Sequence, residues 1–282
     1  MAGRGGMQVI ELSNHPADML SAVSLRRQAA DQRAHDRHED ALVRHQASVQ
    51  AIRVKRDRAR ARRRWWTWLR LAFAVGAEKR RAPRPHPRPA GDSGVEEKIK
   101  AGIAGEERVA AELSHALGAD WTLLRGYRNR RGEIDDLLLG PTGLFAIEVK
   151  NINATVHVDG DRWQGDKYDH YGNLVEQRLI ADRRGRSPSE QLNEPADELQ
   201  RFLRDRGQQV TIQRVVVLAH HRSRLAPGGR RAVHVVTSTA GVLSLAGGSA
   251  DRIGHDQRAE LERLIRRDHD FHERTRRPAR RH

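Results

Sequence analysis

GEIDDLLLGPTGLFAIEVK, residues 132–150, opens with three acids, closes on an acid and a lysine, and is almost wholly apolar between them. The turn signature Gly140-Pro141-Thr142-Gly143 divides it into two strands, 133–139 and 144–150. An antiparallel hairpin closed by a four-residue loop in simple register sets Leu139 across from Leu144, Asp135 across from Glu148 and Glu133 across from Lys150. Side chains alternate along a strand, so Asp135, Glu148 and Lys150 project from one face. Ile134, Leu138, Phe145, Ile147 and Val149 point to the other, and Asp136 faces away from Asp135.

Opposed side chains have Cβ atoms ~5 Å apart, where two like charges destabilise a sheet. Asp135 and Glu148 beside a core therefore call for a cation. A hard divalent ion suits them: Mg²⁺, or Mn²⁺ in its place, favours oxygen ligands, and Mg²⁺ keeps several waters. The bland alternative is that these charges mark strand ends emerging into water, with Lys150 paired to an acid.

Outward from the hairpin, AGEERVAAELSHAL (104–117) reads as a helix with Glu106, Val109, Leu113 and Leu117 on one stripe. WTLLRGY reads as a strand, and TVHVDGDRW (155–163) as two short strands around Asp159-Gly160. Ser187, Pro188 and Glu190 occupy capping-box positions at the start of a further helix. VTIQRVVVLAH (210–220) has the near-continuous apolar run of a buried central strand. AVHVV is another strand, and residues 255–271 form a last helix. The order predicts an α/β fold, a mixed central β-sheet flanked by helices, preceded by a basic helical N-terminal extension. The expected divisions are 1–77 (extension), 78–94 (linker), 95–273 (globular domain) and 274–282 (basic tail).

GEERVAAEL, GEIDDLLLGPTGLFAIEVKN, VDGDRW and SPSEQL, taken in order, resemble the pattern of the nuclease-related domain, NERD, a family of the PD-(D/E)xK nuclease superfamily with restriction-endonuclease-like folds. The resemblance runs from about Gly105 to about Leu218. It implies that Asp135, Glu148 and the backbone carbonyl of Val149 hold the metal, and that Lys150 positions the attacking water and stabilises charge on the phosphate. It also implies that Glu106 assists the metal through water and that Gln191 stands near the site. Read without it, Glu106 is the edge of an amphipathic stripe and Gln191 an ordinary helix-surface amide. The family usually carries histidine after the strand aspartate; Asp136 stands there in this chain.

Charge distribution points the same way. Residues 1–90 carry 20 Lys+Arg against 8 Asp+Glu, and residues 274–282 five arginines and no acid, around a middle with 27 basic and 29 acidic residues. Basic ends favour a polyanion, nucleic acid or an anionic membrane surface. Ala17 to Val75, free of glycine and proline, reads as long helix. Its loose heptad carries Arg27, His45 and Arg56 on the apolar seam, which argues against a strong coiled coil. Arg60, Arg62, Arg63 and Arg64 are the expected nucleic-acid contacts. Trp65, Trp66 and Trp68 follow, within an apolar run too short to span a bilayer. That run docks onto the globular part, lies in an anionic membrane interface, or stacks on nucleic acid. Prolines 83, 85, 87 and 89 then mark a semi-rigid linker.

The absence of cysteine excludes disulfides, thiolate zinc sites and cysteine nucleophiles, and no Walker-type phosphate loop is present. No signal-peptide pattern opens the chain, so a cytoplasmic location, with membrane-peripheral attachment as the variant, is expected. The expected function is divalent-metal-dependent hydrolysis of DNA, RNA remaining open as substrate. The alternative is a non-catalytic nucleic-acid-binding or scaffolding protein on a nuclease-like fold.

Overall fold

The computed structural model describes residues 6–13, 15–84, 93–249 and 251–276. In chain order they form β1 (Gln8–Glu11), α1 (His15–Ala61), α2 (Trp65–Arg80), α3 (Ser93–Ala116), β2 (Thr122–Arg128), β3 (Glu133–Gly140) and β4 (Gly143–Lys150). There follow β5 (Thr155–Asp159), β6 (Arg162–Tyr168), β7 (Leu174–Leu179), α4 (Pro188–Arg204), β8 (Ile212–Leu218), β9 (Arg224–Leu225), β10 (His234–Val236), α5 (Thr239–Gly248) and α6 (His255–Arg276). The chain divides into two compact units, Met19–Glu97 and Met1–Asp18 with Lys98–His282.

In the larger unit the fold is α/β, as expected. A six-stranded mixed sheet runs β1-β2-β3-β4-β8-β10, and a smaller sheet runs β7-β6-β5-β9. Leu192, Leu199 and Leu203 of α4, with Leu261 and Ile265 of α6, pack on Leu137, Leu139, Leu144 and Ala146 of the hairpin. On the opposite face Val109 and Leu113 of α3, with Val242 and Ala246 of α5, cover Leu138, Phe145 and Ile147. Each fully buried aliphatic side chain contributes about 1.5–3 kcal/mol, so the central strands are held from both faces.

The β3–β4 register is the predicted one: Leu139 pairs with Leu144, Leu137 with Ala146 and Asp136 with Ile147. The turn is tighter than predicted, because Gly140 pairs with Gly143 and leaves a two-residue loop, Pro141-Thr142. A Cβ on Gly140 would lie 2.1 Å from the Trp121 ring, so only glycine admits that ring against the hairpin. One face assignment is corrected. Ile134 packs in the layer of Leu137 and Leu139, not with Leu138 and Phe145. Gly126, with φ +68°, sits unpaired opposite Asp135 and breaks the pleat there.

Ser187 caps α4 as predicted: its hydroxyl accepts from Glu190 N at 3.2 Å, and Glu190 Oε2 accepts from Ser187 N at 2.8 Å. α3 begins at Ser93, not near 104, because packing overrides the cost of Gly94, Gly102 and Gly105 within it. β1, β7, β9 and α5 are strands and a helix that sequence reading did not find. β1 pairs in parallel with β2, and His269 locks its end. The His269 ring accepts from Arg128 N at 3.1 Å, and its other nitrogen lies 3.1 Å from Leu12 O.

In the smaller unit the long predicted helix is broken. Arg63 adopts φ +54°, Arg63 N bonds to Arg60 O and Arg64 N to Ala59 O, a left-handed helix stop. Arginines crowd at 60, 62, 63 and 64 and repel one another, and the nearest acid, Asp57, is paired with Arg56. α2 lies along α1, with Ser48 Oγ donating to Glu78 Oε1 at 2.7 Å and Val49 and Val75 buried. The first residues of the expected linker, Glu78 to Arg80, are helical. Residues 85–92 of that linker, and 277–282 of the expected tail, lie outside the described residues.

Candidate active site

Both strands of the hairpin end at one edge of the sheet, and four residues meet there. Asp135 Oδ2 accepts from Val149 N at 2.7 Å, across the gap where the ladder has ended. Glu148, 5% exposed, accepts a hydrogen bond from Lys150 Nζ. Lys150 Nζ donates a second one to Gln191 Oε1 at 3.0 Å. Gln191 is itself oriented, since its Nε2 donates to Arg186 O at 2.8 Å. The capping box at Ser187 fixes where α4 starts, and so places Gln191 one residue past Glu190 over the strand end.

Glu106 arrives from α3. Gly105 eases the approach: a Cβ there would stand 3.1 Å from Asn151 Cβ, so a side chain would push the helix or Asn151 back by a few tenths of an ångström. The Asn151 amide clips the approach by donating to Ala101 O. Glu106 and Asp135 line one cleft together with Glu133, Arg125 and Ser13. A second cleft opens at Lys150 and Gln191, walled by Ile152 and by Arg178 to Asp182.

The electrostatics record a surplus of negative charge. Burial pushes the Asp135 carboxyl well above its ordinary value, and Glu148 and Glu106 push it further, while Lys150 and the Val149 N–H pull it back. Glu106 is raised to about 7, by burial first and then by Asp136 and Glu148. Burial alone would lower the Lys150 ammonium, yet Glu148 and Asp135 carry it above its usual value.

Among the described residues no three His, Asp or Glu side chains close into a metal cage. Asp135 and Glu148 nevertheless each give one carboxylate oxygen to the protein and retain one with no hydrogen bond among the described residues. Two hard oxygen donors in an electronegative pocket fit a divalent ion that keeps most of its waters.

Asp136 lies on the α3 side of the sheet, near enough to Glu106 to raise its carboxyl, and it turns to Arg125 rather than to Lys150. It is 1% exposed, accepts from Arg125 Nε at 3.3 Å, and its Oδ2 has no partner among the described residues. Burial raises its carboxyl to about 7 despite Arg125. Arg125, which also pairs with Glu11 and Glu107, escaped sequence reading. Its place opposite Asp136 was available only once β2 was registered against β3. Arg60, Arg62, Arg63 and Arg64 belong to the other unit, exposed at the stop between α1 and α2.

Residues 101–219, about two-fifths of the chain, match the family model of the nuclease-related domain. The matched segment takes in α3 from residue 101, the hairpin, the smaller sheet up to β7, α4 and β8. A nuclease-related function follows for the domain. No curated protein and no solved structure matches the chain.

Proposed function

We propose that the protein hydrolyses phosphodiester bonds of DNA with a divalent metal ion, Mg²⁺ or Mn²⁺. The observation that carries this reading is Lys150 clamped between Glu148 and Gln191 beside Asp135. A lysine that only closed a strand-end ion pair would not need an amide positioned from another helix.

Asp135 and Glu148, with the Val149 carbonyl, are the residues that would hold the ion. Bound there, it would lower the pKa of water and neutralise phosphate charge. Lys150 orients a water toward the phosphorus and stabilises negative charge as it develops on the phosphoryl oxygens. Gln191 is a positioning residue, since it holds the ammonium and meets no reacting atom. Glu106, with its affinity for protons raised to about 7, can take a proton through water at neutral pH. Arg60, Arg62, Arg63 and Arg64 add sequence-independent affinity for phosphates, with a log-log salt slope of roughly −0.9 per phosphate neutralised.

Purified protein incubated with supercoiled and linear DNA in Mg²⁺, Mn²⁺ or EDTA tests this. Metal-dependent cleavage is expected, falling by about 10²–10³-fold in Lys150→Ala, the scale of losing one charge-stabilising donor. Equal cleavage by both proteins would reveal a contaminant. Binding without cleavage under every condition would leave a non-catalytic nucleic-acid-binding domain.

A further inference from the structure

α2 is apolar on two sides, and its partner helix explains only one. Trp68, Leu71 and Val75 lie on the side that carries Val75, the buried residue of the helix. Trp65, Trp66, Leu69 and Phe73 are 63%, 87%, 42% and 74% exposed. At 3.6 residues per turn these four fall within an arc of about 100°. Trp68, grouped with Trp65 and Trp66 from sequence, is thereby moved to the inner side, and Leu69 and Phe73 take its place on the outer one.

Positive charge gathers at both ends of this outer face, with one further arginine, Arg70, at its flank. Between residues 62 and 81 there are seven Lys and Arg against a single acid, Glu78. That acid is turned to α1, where Ser48 and His45 hold it. The arginines cluster before the helix at 62–64 and the cations return at 79–81; Arg70, exposed, flanks the face about 40° beyond Trp66, and Gly76 and Ala77 fill the rest. Among the described residues no helix is long and apolar enough to cross a membrane.

The geometry points to an anionic lipid surface as the occupant of this face, with α2 lying flat in the bilayer interface. Aromatic and aliphatic side chains sink ~5–10 Å into the headgroup boundary, and the cations at both ends meet lipid phosphates. A nucleic-acid stacking surface would set most of its cations among the aromatic rings, because phosphates accompany every base, whereas here only Arg70 stands beside them and six cations lie at the ends. A second copy of the helix would bring like-charged ends together. The inference rests on this apolar face and the cations around it and needs no nuclease activity, although Arg62, Arg63 and Arg64 are shared with the proposed DNA contacts.

Full-length protein sedimented with vesicles of phosphatidylcholine and phosphatidylglycerol (7:3), or of phosphatidylcholine alone, tests it. Binding to the anionic vesicles is expected, at least tenfold weaker on pure phosphatidylcholine and at least tenfold weaker in Trp66→Ser/Phe73→Ser. Brominated acyl chains should quench the tryptophan fluorescence of the wild type. Trp65→Phe/Trp66→Phe keeps the apolar face and should lose most of that quenching while still binding, a measurement free of any folding defect in the serine variant. Equal sedimentation with both vesicles, or no quenching in the wild type, overturns the proposal. So does a folded serine variant that loses duplex-DNA binding and keeps vesicle binding, which would assign the face to nucleic acid.

Discussion

α4 and α2 differ in length by one residue, 17 against 16, and in almost everything else. α4 opens on a complete capping box, buries Leu192, Ala196, Leu199 and Leu203 along one stripe, and presents polar residues elsewhere. α2 follows Arg64 without a side-chain cap, has no acid in its first turn, and exposes large apolar groups opposite the side it buries. In α4 the pattern closes on itself, since every large apolar residue of the stripe has a place in the sheet's core. In α2 the apolar residues outnumber what α1 covers, and that surplus asks for a partner. The one polar residue of α4 that reaches the strand end, Gln191, is the one with a chemical task in the proposed site.

The comparison can be broken at its strongest point first. Leu199→Ala should cost about 2–5 kcal/mol, because the residue is fully buried and the sheet cannot collapse onto the vacancy; urea unfolding would read it. A loss under 1 kcal/mol would mean that α4 is less tightly packed than α2 is exposed. Gln191→Ala should lower DNA cleavage by about tenfold, roughly 1.4 kcal/mol in the barrier, with kcat falling more than KM changes. Restoration by Gln191→Asn would point instead to simple filling of space. Ser187→Ala should cost about 1 kcal/mol by removing the cap, seen as a lower thermal midpoint. Smallest of all, Phe73→Ser should change stability by no more than about 0.5 kcal/mol. A large loss there would show that the outer face of α2 is folded against something within its own unit.

Much of the hairpin was legible in its nineteen residues. The register was legible from the turn between Gly140 and Gly143 alone, because both faces of these strands are apolar and no alternation distinguishes one register from a slip of one residue. Parity gave the faces of Leu137 to Leu139 and of the β4 residues opposite them but failed at Ile134, where the pleat breaks at Gly126. The α4 start was equally plain, because Ser187 and Glu190 satisfy each other locally. β1 was not legible: four residues, QVIE, gain their order from pairing with Thr122–Arg125, more than a hundred residues away. β7 escaped because all six of its residues are exposed, so no alternation marks it. The stop at Arg63 escaped because helix ends are usually flagged by glycine, and here mutual repulsion of arginines and a left-handed arginine serve.

The amino-acid sequence by itself determined the local quantities: which residues turn, which faces of a strand are apolar, which helix start is capped, and that positive charge gathers at the ends. These depend on neighbours a few residues apart, and short-range geometry reads them directly. Tertiary structure alone decided that Gln191 grips Lys150, that Arg125 answers Asp136, that Gly105 eases Glu106 toward the carboxylates, and that Trp68 turns inward while Phe73 does not. Each of these joins segments distant in the chain, and each became visible only when packing had chosen which surfaces meet.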